Sequence, residues 1–114
     1  LKWFLQRIDR AEAMIQNLLL QLENAGTDAI LDLGLSKFSH REKFRKFALD
    51  NGIEVQLHYL DVSKEIRWQR VQNRNKEKGF SYEFEVSESD FNFMETWFEQ
   101  PTNQELNEAI IISS

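Results

Sequence analysis

Residues 28–75 read DAILDLGLSKFSHREKFRKFALDNGIEVQLHYLDVSKEIRWQRVQNRN, and this stretch decides the fold that the sequence predicts. An apolar run at residues 29–33 and a second one at residues 54–60 have the length and composition of β-strands. Between them, residues 39–50 have helical spacing and end at Asn51-Gly52, and a further helix follows the second run. The order strand, helix, strand, helix is typical of an α/β domain with a parallel sheet.

Each predicted strand is closed by an aspartate, Asp32 in the first case and Asp61 in the second. In open α/β sheets, ligands bind beyond the carboxyl ends of the strands. Asp32 is therefore a candidate ligand-binding carboxylate, with capping of a turn as the alternative. We interpret Asp61 as structural, because it stands just before Ser63, which has the residue type and position of a helix N-cap.

The flanking segments predict further helices and a last strand. Residues 1–24 have the three-to-four spacing of an amphipathic helix, and Gly26 stands at the usual stop position. Serines are predicted to cap the later helices, and residues 109–112 form an apolar run that predicts a buried terminal strand. The predicted caps are Ser39, Ser63 and Ser87. At 114 residues, the chain is expected to form one domain over residues 1–114.

Composition excludes several classes of protein. The chain is 41% hydrophobic and 29% charged, as expected of a globular domain, and it has no cysteine for a disulfide or a thiolate metal site. No apolar run approaches the roughly 18 residues that a membrane-spanning helix needs. We therefore expect a cytoplasmic protein without a membrane partner.

The net charge of −5 is unevenly distributed. Residues 37–78 contain eleven basic and six acidic side chains, whereas residues 79–114 contain eight acidic and no basic ones. The basic stretch suits the phosphates of a nucleotide or of a nucleic acid. Because the overall acidic charge repels a phosphate backbone, nucleic-acid binding is the weaker hypothesis.

Basic side chains occur on both helices of the basic stretch. Those of the first are expected on its solvent face, and they are Arg41, Lys43, Arg45 and Lys46. On the second, Arg70 and Arg74 are one helical turn apart, so they share a face with each other. Their planar guanidinium groups suit phosphate oxygens, and the alternative is ion pairing with the acidic last third of the chain.

The order and spacing of these segments, including the Arg70-Val-Gln-Asn-Arg74-Asn75 element, resemble a known family. The chain is similar to the C-terminal two-thirds of small P-loop kinases and ATPases, the zeta-toxin-like and polynucleotide-kinase-like AAA domain proteins. The resemblance covers at least residues 25–100. It implies a three-layer parallel sheet flanked by helices, which is incomplete here because the central N-terminal strand and the phosphate loop are missing.

The resemblance also implies site residues and cofactors. Arg74 and Arg70 would be catalytic lid arginines that contact the phosphates of ATP, with Asn75 beside them in the nucleotide site. Asp32 would correspond to a Walker-B-like carboxylate that holds Mg²⁺ through water. Phosphoryl transfer depends mainly on positioning and charge neutralisation, which is what these groups supply.

The chain departs from the family in one respect. Its 114 residues contain no G-x-x-x-x-G-K-[ST] motif, so the backbone N–H groups and the lysine of a phosphate loop are absent from them. The chain also begins at Leu1 without an initiator methionine, which favours a fragment or a processed product. We therefore expect these residues alone to bind ATP–Mg²⁺ very weakly and to be inactive.

Two hypotheses remain open at this stage. The first is the C-terminal part of an ATP-dependent phosphotransferase or ATPase, and the second is a non-enzymatic remnant or interaction module that keeps the α/β scaffold. In either case the two predicted strands would flank a gap. They could close it by pairing directly, or a second copy or a strand-donating partner could fill it, and the aromatic content favours association.

Overall fold

The computed structural model describes residues 2–33, 35–80 and 82–113. Contacts divide the chain into two compact units, which are described separately below. The first consists of Leu1–Leu35 and His40–Val55, and the second of Ser36–Ser39 and Gln56–Ser114. In chain order the elements are α1 (Lys2–Asn24), α2 (Phe38–Asp50), β1 (His58–Asp61), α3 (Lys64–Glu77), α4 (Glu88–Trp97), α5 (Asn103–Asn107) and β2 (Ile110–Ser113).

Both helices of the first unit end as the sequence predicts, at a glycine with positive φ. Gly26 has φ 71°, and Thr27 N–H donates to the Leu22 carbonyl at 2.9 Å. Gly52 has φ 66°, and Ile53 N–H donates to the Ala48 carbonyl at 2.8 Å. These bonds satisfy carbonyls that a helix end leaves open, and the left-handed turn that makes them favours a residue without Cβ.

The buried side of α2 is narrow. Phe44 and Ala48 are buried, whereas Leu49 is 71% exposed. Arg41, predicted to be on the solvent face, is buried, and its Nη1 donates to the Leu35 carbonyl at 2.9 Å. The predicted N-cap, Ser39, lies inside the helix, because α2 starts one residue earlier, at Phe38.

An ion pair joins α1 to α2. Lys43 Nζ lies 2.8 Å from Glu12 Oε2, and the Glu12 side chain is almost fully buried. A buried carboxylate without a donor would retain its desolvation cost. Lys43, half-exposed, supplies that donor from the neighbouring helix.

The predicted strand at residues 29–33 is wrong. In the structure these residues have no regular secondary structure, and the side chain of Ile30 is 97% exposed. An apolar run becomes a strand only when a neighbouring strand accepts and donates its backbone hydrogen bonds. The direct pairing of this run with residues 54–60 is therefore also absent from the described part of the chain.

The sheet of the second unit has two parallel strands, β1 and β2, with His58 opposite Ile110 and Asp61 opposite Ser113. The strand predicted at residues 54–60 is thus shorter and later than expected. The terminal strand is confirmed, but its predicted burial is wrong, since all four residues of β2 are exposed.

Serine caps start the helices of this unit as predicted. Ser63 Oγ accepts from Ile66 N–H at 3.3 Å, and Ser87 Oγ accepts from Asp90 N–H at 3.1 Å. The short α5 was not predicted. Thr102 and Glu105 form a capping box there, in which each side chain bonds to the other residue's backbone.

The structure therefore combines helices with a small parallel sheet, compatible with an incomplete α/β fold. Within the described residues, no helix is both long and apolar enough to cross a membrane.

Replacing Lys43 by alanine leaves the Glu12 carboxylate without its ammonium partner. We expect the free energy of unfolding to fall by about 1–3 kcal/mol, because the buried charge keeps its desolvation cost. Chemical denaturation at neutral pH measures the change. Lys46→Ala removes the same charge from an exposed position of α2, and we expect it to change stability by less than about 0.5 kcal/mol. Equal effects of the two substitutions would contradict a stabilising role for the pair.

Candidate functional site

Helix α3 carries three of the four residues that the sequence singles out for a site. Its first turn has the Ser63 cap and Glu65, and its last turn holds Arg74 and Lys76, so these charges complement the helix dipole, whereas Lys64 in the first turn opposes it. At its C-terminus, Lys78 has φ 50° and donates its N–H to the Arg74 carbonyl at 3.0 Å. Hydrogen bonds thus stabilise both ends of the helix that carries these basic residues.

Arg67, the first arginine of α3, connects this helix to its surroundings. Its Nε donates to the Val62 carbonyl at 2.9 Å, and its guanidinium forms a two-pronged ion pair with Glu95 on α4. The second of these contacts, from Nη2 to Oε2, measures 3.1 Å. Arg67, which the sequence analysis did not single out, thus pairs with the acidic last third of the chain.

This contact changes the acidity of both partners. Hydrogen bonds from Arg67 hold the pKa of Glu95 below its ordinary value of 4.5, and partial burial of Glu95 opposes that shift. The same hydrogen bonds raise the pKa of Arg67. Because the charged forms favour each other, both groups are charged at neutral pH, and the ion pair is lost when Glu95 takes up a proton in acid.

The two arginines predicted to contact phosphates differ from Arg67 and from each other. Arg70 is exposed and takes part in an interaction of its own. Arg74 is half-buried, and its Nε is buried with no hydrogen-bond acceptor among the described residues. Such an N–H group usually has a partner, since leaving it unpaired costs about 1–3 kcal/mol. The structure places both arginines on one helix, as predicted, and their phosphate contacts stay a prediction.

Asn75 has a structural contact that the sequence did not reveal. Its Nδ2 donates to the Val86 carbonyl at 2.7 Å, and its Oδ1 accepts from Val86 N–H at 3.0 Å. The side-chain amide thus pairs with the backbone of Val86 much as a neighbouring strand would, and it fixes the segment leading into α4. An amide has a second N–H and a second lone pair, so a nucleotide contact by Asn75 also stays a prediction.

Asp32 belongs to the first unit, whereas the arginines and Asn75 belong to the second. It is exposed and lines an apolar groove of about 400 Å³ between α1 and residues 29–33. In the described part of the chain, no three His, Cys, Asp or Glu side chains come together as a group that could hold a metal ion. The Mg²⁺ role of Asp32 stays a prediction.

The Arg67–Glu95 pair predicts an acid-sensitive contribution to stability. Because the folded chain binds a proton at Glu95 less readily than the unfolded chain, this contribution is complete above pH 4.5 and is lost as the pH falls through the lower pKa of the folded state. We expect Glu95→Gln to cost about 0.5–1 kcal/mol at pH 7, a value reduced by solvent screening, and to flatten stability below pH 4.5.

Denaturation curves between pH 3 and pH 7 measure this effect. Glu83→Gln removes an exposed carboxylate and is the matched control, which should keep the acid dependence of the parent. An unchanged slope in Glu95→Gln would assign the acid sensitivity to other groups.

Asn75→Ala removes both hydrogen bonds to Val86. We expect a loss of about 1–3 kcal/mol in the free energy of unfolding, because the N–H and carbonyl of the half-buried Val86 lose their partners. Asn73→Ala, at an exposed position of the same helix, controls for helix propensity and should change stability by less than about 0.5 kcal/mol. Amide exchange at Val86, faster in the first variant only, would localise the effect.

Comparison with known proteins matches residues 1–101 to a family model described as AAA domain. No curated protein and no solved structure matches the chain. The family model spans α1 to α4, including the arginines of α3 and Asp32, and it agrees with the resemblance seen in the sequence. The chain therefore belongs to the AAA domain family of P-loop kinase-like proteins.

Proposed function

We propose that this chain is the C-terminal part of an ATP-dependent phosphotransferase or ATPase, in which Arg74 contacts the phosphates of the nucleotide. Family membership supports a nucleotide-binding, kinase-like domain. The observation that carries the finer proposal is the buried Nε of Arg74, which has no acceptor among the described residues.

The three arginines of α3 are not equivalent in this respect. Arg67 is engaged by Glu95 and the Val62 carbonyl, and Arg70 has an interaction of its own. Arg74 holds a buried donor that still requires an acceptor. A phosphate oxygen is a strong acceptor for the planar guanidinium fork and would remove the cost of the unpaired N–H. Arg70, one turn earlier, would provide a second positive charge near the same phosphates.

Asp32 and Asn75 have supporting roles in this proposal. Asp32 is an exposed carboxylate, and carboxylate oxygens are the ligands that Mg²⁺ takes, often through water. Bound Mg²⁺ would neutralise charge on the phosphate oxygens. Asn75 would use its remaining N–H and lone pair toward the nucleotide, while its bonds to Val86 keep the adjoining Arg74 in register.

A second candidate function, an interaction module, is favoured by the exposed sheet. Parallel strands are normally covered on both faces, whereas Ile110, Ile111 and Ile112 are each about half-exposed in β2. The described sheet has only two strands, so each strand also lies at a sheet edge, and such an edge suits an added strand. A second copy of the chain or a strand-donating partner is thus part of the proposal. A monodisperse monomer of 13.6 kDa in light scattering would contradict it.

Arg74→Ala tests the phosphate contact in a longer protein that contains both these residues and a phosphate-loop motif. We expect turnover at saturating ATP to fall by about 10²–10³-fold, because one charged clamp on the transferring phosphoryl group is lost. Lys76→Ala removes the same charge from an exposed position of the same helix, and it should keep the activity of the parent within about threefold.

Normal turnover of Arg74→Ala would contradict the proposal and leave Arg74 with a packing role. Calorimetric titration of the 114 residues alone provides the complementary measurement. We expect no ATP–Mg²⁺ binding tighter than about 1 mM, because these residues lack the phosphate loop's backbone donors. Micromolar affinity would show that the site does not depend on such a loop.

A further inference from the structure

A cleft in the second unit lies outside the residues assigned above. It has a volume of about 290 Å³ and opens between the first turns of α3 and α4. Its lining combines two aromatic rings with charged and amide side chains. The lining residues are Lys64, Glu65, Trp68, Glu88, Phe91 and Asn92.

The aromatic wall of this cleft is fixed by packing. The Trp68 and Phe91 ring centroids lie 5.0 Å apart with the planes tilted by 40°, and Phe91 is buried. Arg67, which is held by Glu95, lies over the Phe91 ring at 5.9 Å and so limits the positions open to that ring. Trp68 stays half-buried and presents indole surface to the cleft. An indole face is the strongest aromatic partner for a cation.

The other two tryptophans each already have such a cation. The Arg7 guanidinium lies 4.5 Å from the ring centroid of Trp3, and the Lys37 ammonium lies 4.2 Å from that of Trp97. Within the described residues, no cation lies over the ring of Trp68. Trp68 thus lies beside an open cleft, and no cation of the described residues occupies the face of its ring.

The charges around the cleft favour a cation, with two opposing contributions. Glu65 and Glu88 place carboxylates on both helices, and Asp90 adds a third acidic group in the first turn of α4. The two helix N-termini carry partial positive charge, roughly half a unit each, and Lys64 carries a full one. The carboxylates offset the helix ends, and Lys64 is the group that competes with a bound cation.

We propose that this cleft binds an alkylated ammonium group, with Trp68 as its aromatic partner and Glu65 and Glu88 as its counter-charges. A quaternary ammonium is large, weakly hydrated and apolar at its surface, which suits a cleft whose lining includes two aromatic rings and two carboxylates. The proposal does not depend on nucleotide binding, because it uses none of the residues assigned to the phosphates.

Choline and its uncharged isostere 3,3-dimethylbutan-1-ol test the proposal by NMR titration of the full 114-residue chain. The three indole N–H resonances report on Trp3, Trp68 and Trp97 separately. We expect choline to shift the Trp68 resonance in a saturable manner at millimolar concentration, with the other two unchanged. The affinity of the isostere should be lower than that of choline by about fivefold or more, because the isostere lacks the charge.

A peptide that carries trimethyllysine extends the test to ammonium groups presented by a protein. Tighter binding of the peptide than of choline would identify a side chain as the source, and the reverse order would identify a free small molecule. Both results support an ammonium site.

Matched variants separate the site from general packing. Glu88→Gln and Glu65→Gln, at exposed positions, should each weaken choline binding about two- to threefold at low salt, and Lys64→Gln should tighten it by a similar factor. Trp68→Leu removes the indole signal, so choline binding to this variant is followed at the Phe91 ring signals, and we expect no saturable shift there. Trp97→Leu should leave choline binding unchanged. The glutamate and lysine variants keep the proposal testable if Trp68→Leu does not fold.

Three results would overturn the proposal. Equal binding of choline and the uncharged isostere would show an apolar cleft without charge selectivity. A shift of the Trp68 resonance by inorganic phosphate, and not by choline, would show that the positive helix N-termini outweigh the carboxylates in this cleft. No shift by either ammonium probe at 50 mM, roughly the weak limit of such contacts, would show that there is no site.

Discussion

The contact between Arg67 and Glu95 determines how the second unit is put together. Arg67 lies one turn into α3, bonds back to the Val62 carbonyl just after β1, and reaches forward to α4. Three successive segments are thereby fixed by a single side chain whose fork has defined directions. Trp68, the next residue, then contacts Phe91, which is the only buried hydrophobic residue of this unit among those described. With so few buried side chains, polar contacts of fixed geometry define the packing.

The three arginines of α3 differ in their contacts, and the Arg67–Glu95 pair is one reason. An ion pair with Glu95 satisfies Arg67, and it keeps that arginine away from any ligand. Two turns after Arg67, Arg74 has a buried donor without an acceptor in the described part of the chain. Asn75, immediately after it, is anchored to Val86. For the phosphate contact proposed above, a helix that is fixed at its start and near its end would position Arg74 at a lower entropy cost than a mobile segment.

The first unit depends on a different balance. Its helices are ended by left-handed glycines, and the buried Glu12 is neutralised by Lys43 from the neighbouring helix. Its remaining apolar surface is only partly covered, since Ile30 and Leu49 are exposed and α1 borders an apolar groove. Exposed apolar surface of this kind marks a place where another surface can bind. Both units therefore carry apolar groups suited to association, in agreement with the exposed strand β2.

The sequence by itself determined the features that depend on neighbours along the chain. The positive φ at Gly26 and Gly52 and the serine caps of α3 and α4 were all predictable, because each involves residues within five positions of one another. The family was also predicted from the sequence, from the order and spacing of its segments, and the family match agrees with it. The common helix that carries Arg70 and Arg74 follows from spacing alone.

Only the tertiary structure decided the rest. Residues 29–33 are apolar enough for a strand, yet they form none, because a strand exists only through a neighbour's hydrogen bonds. In the same way, the residues at which β1 begins and ends are set by its pairing with β2, about fifty residues later in the chain. Which arginine of α3 pairs with Glu95 depends on where Glu95 lies in space, and the partner of Asn75 depends on the path of the backbone at Val86. Contacts between distant residues are set by packing of the whole unit, and no local pattern in the sequence encodes them.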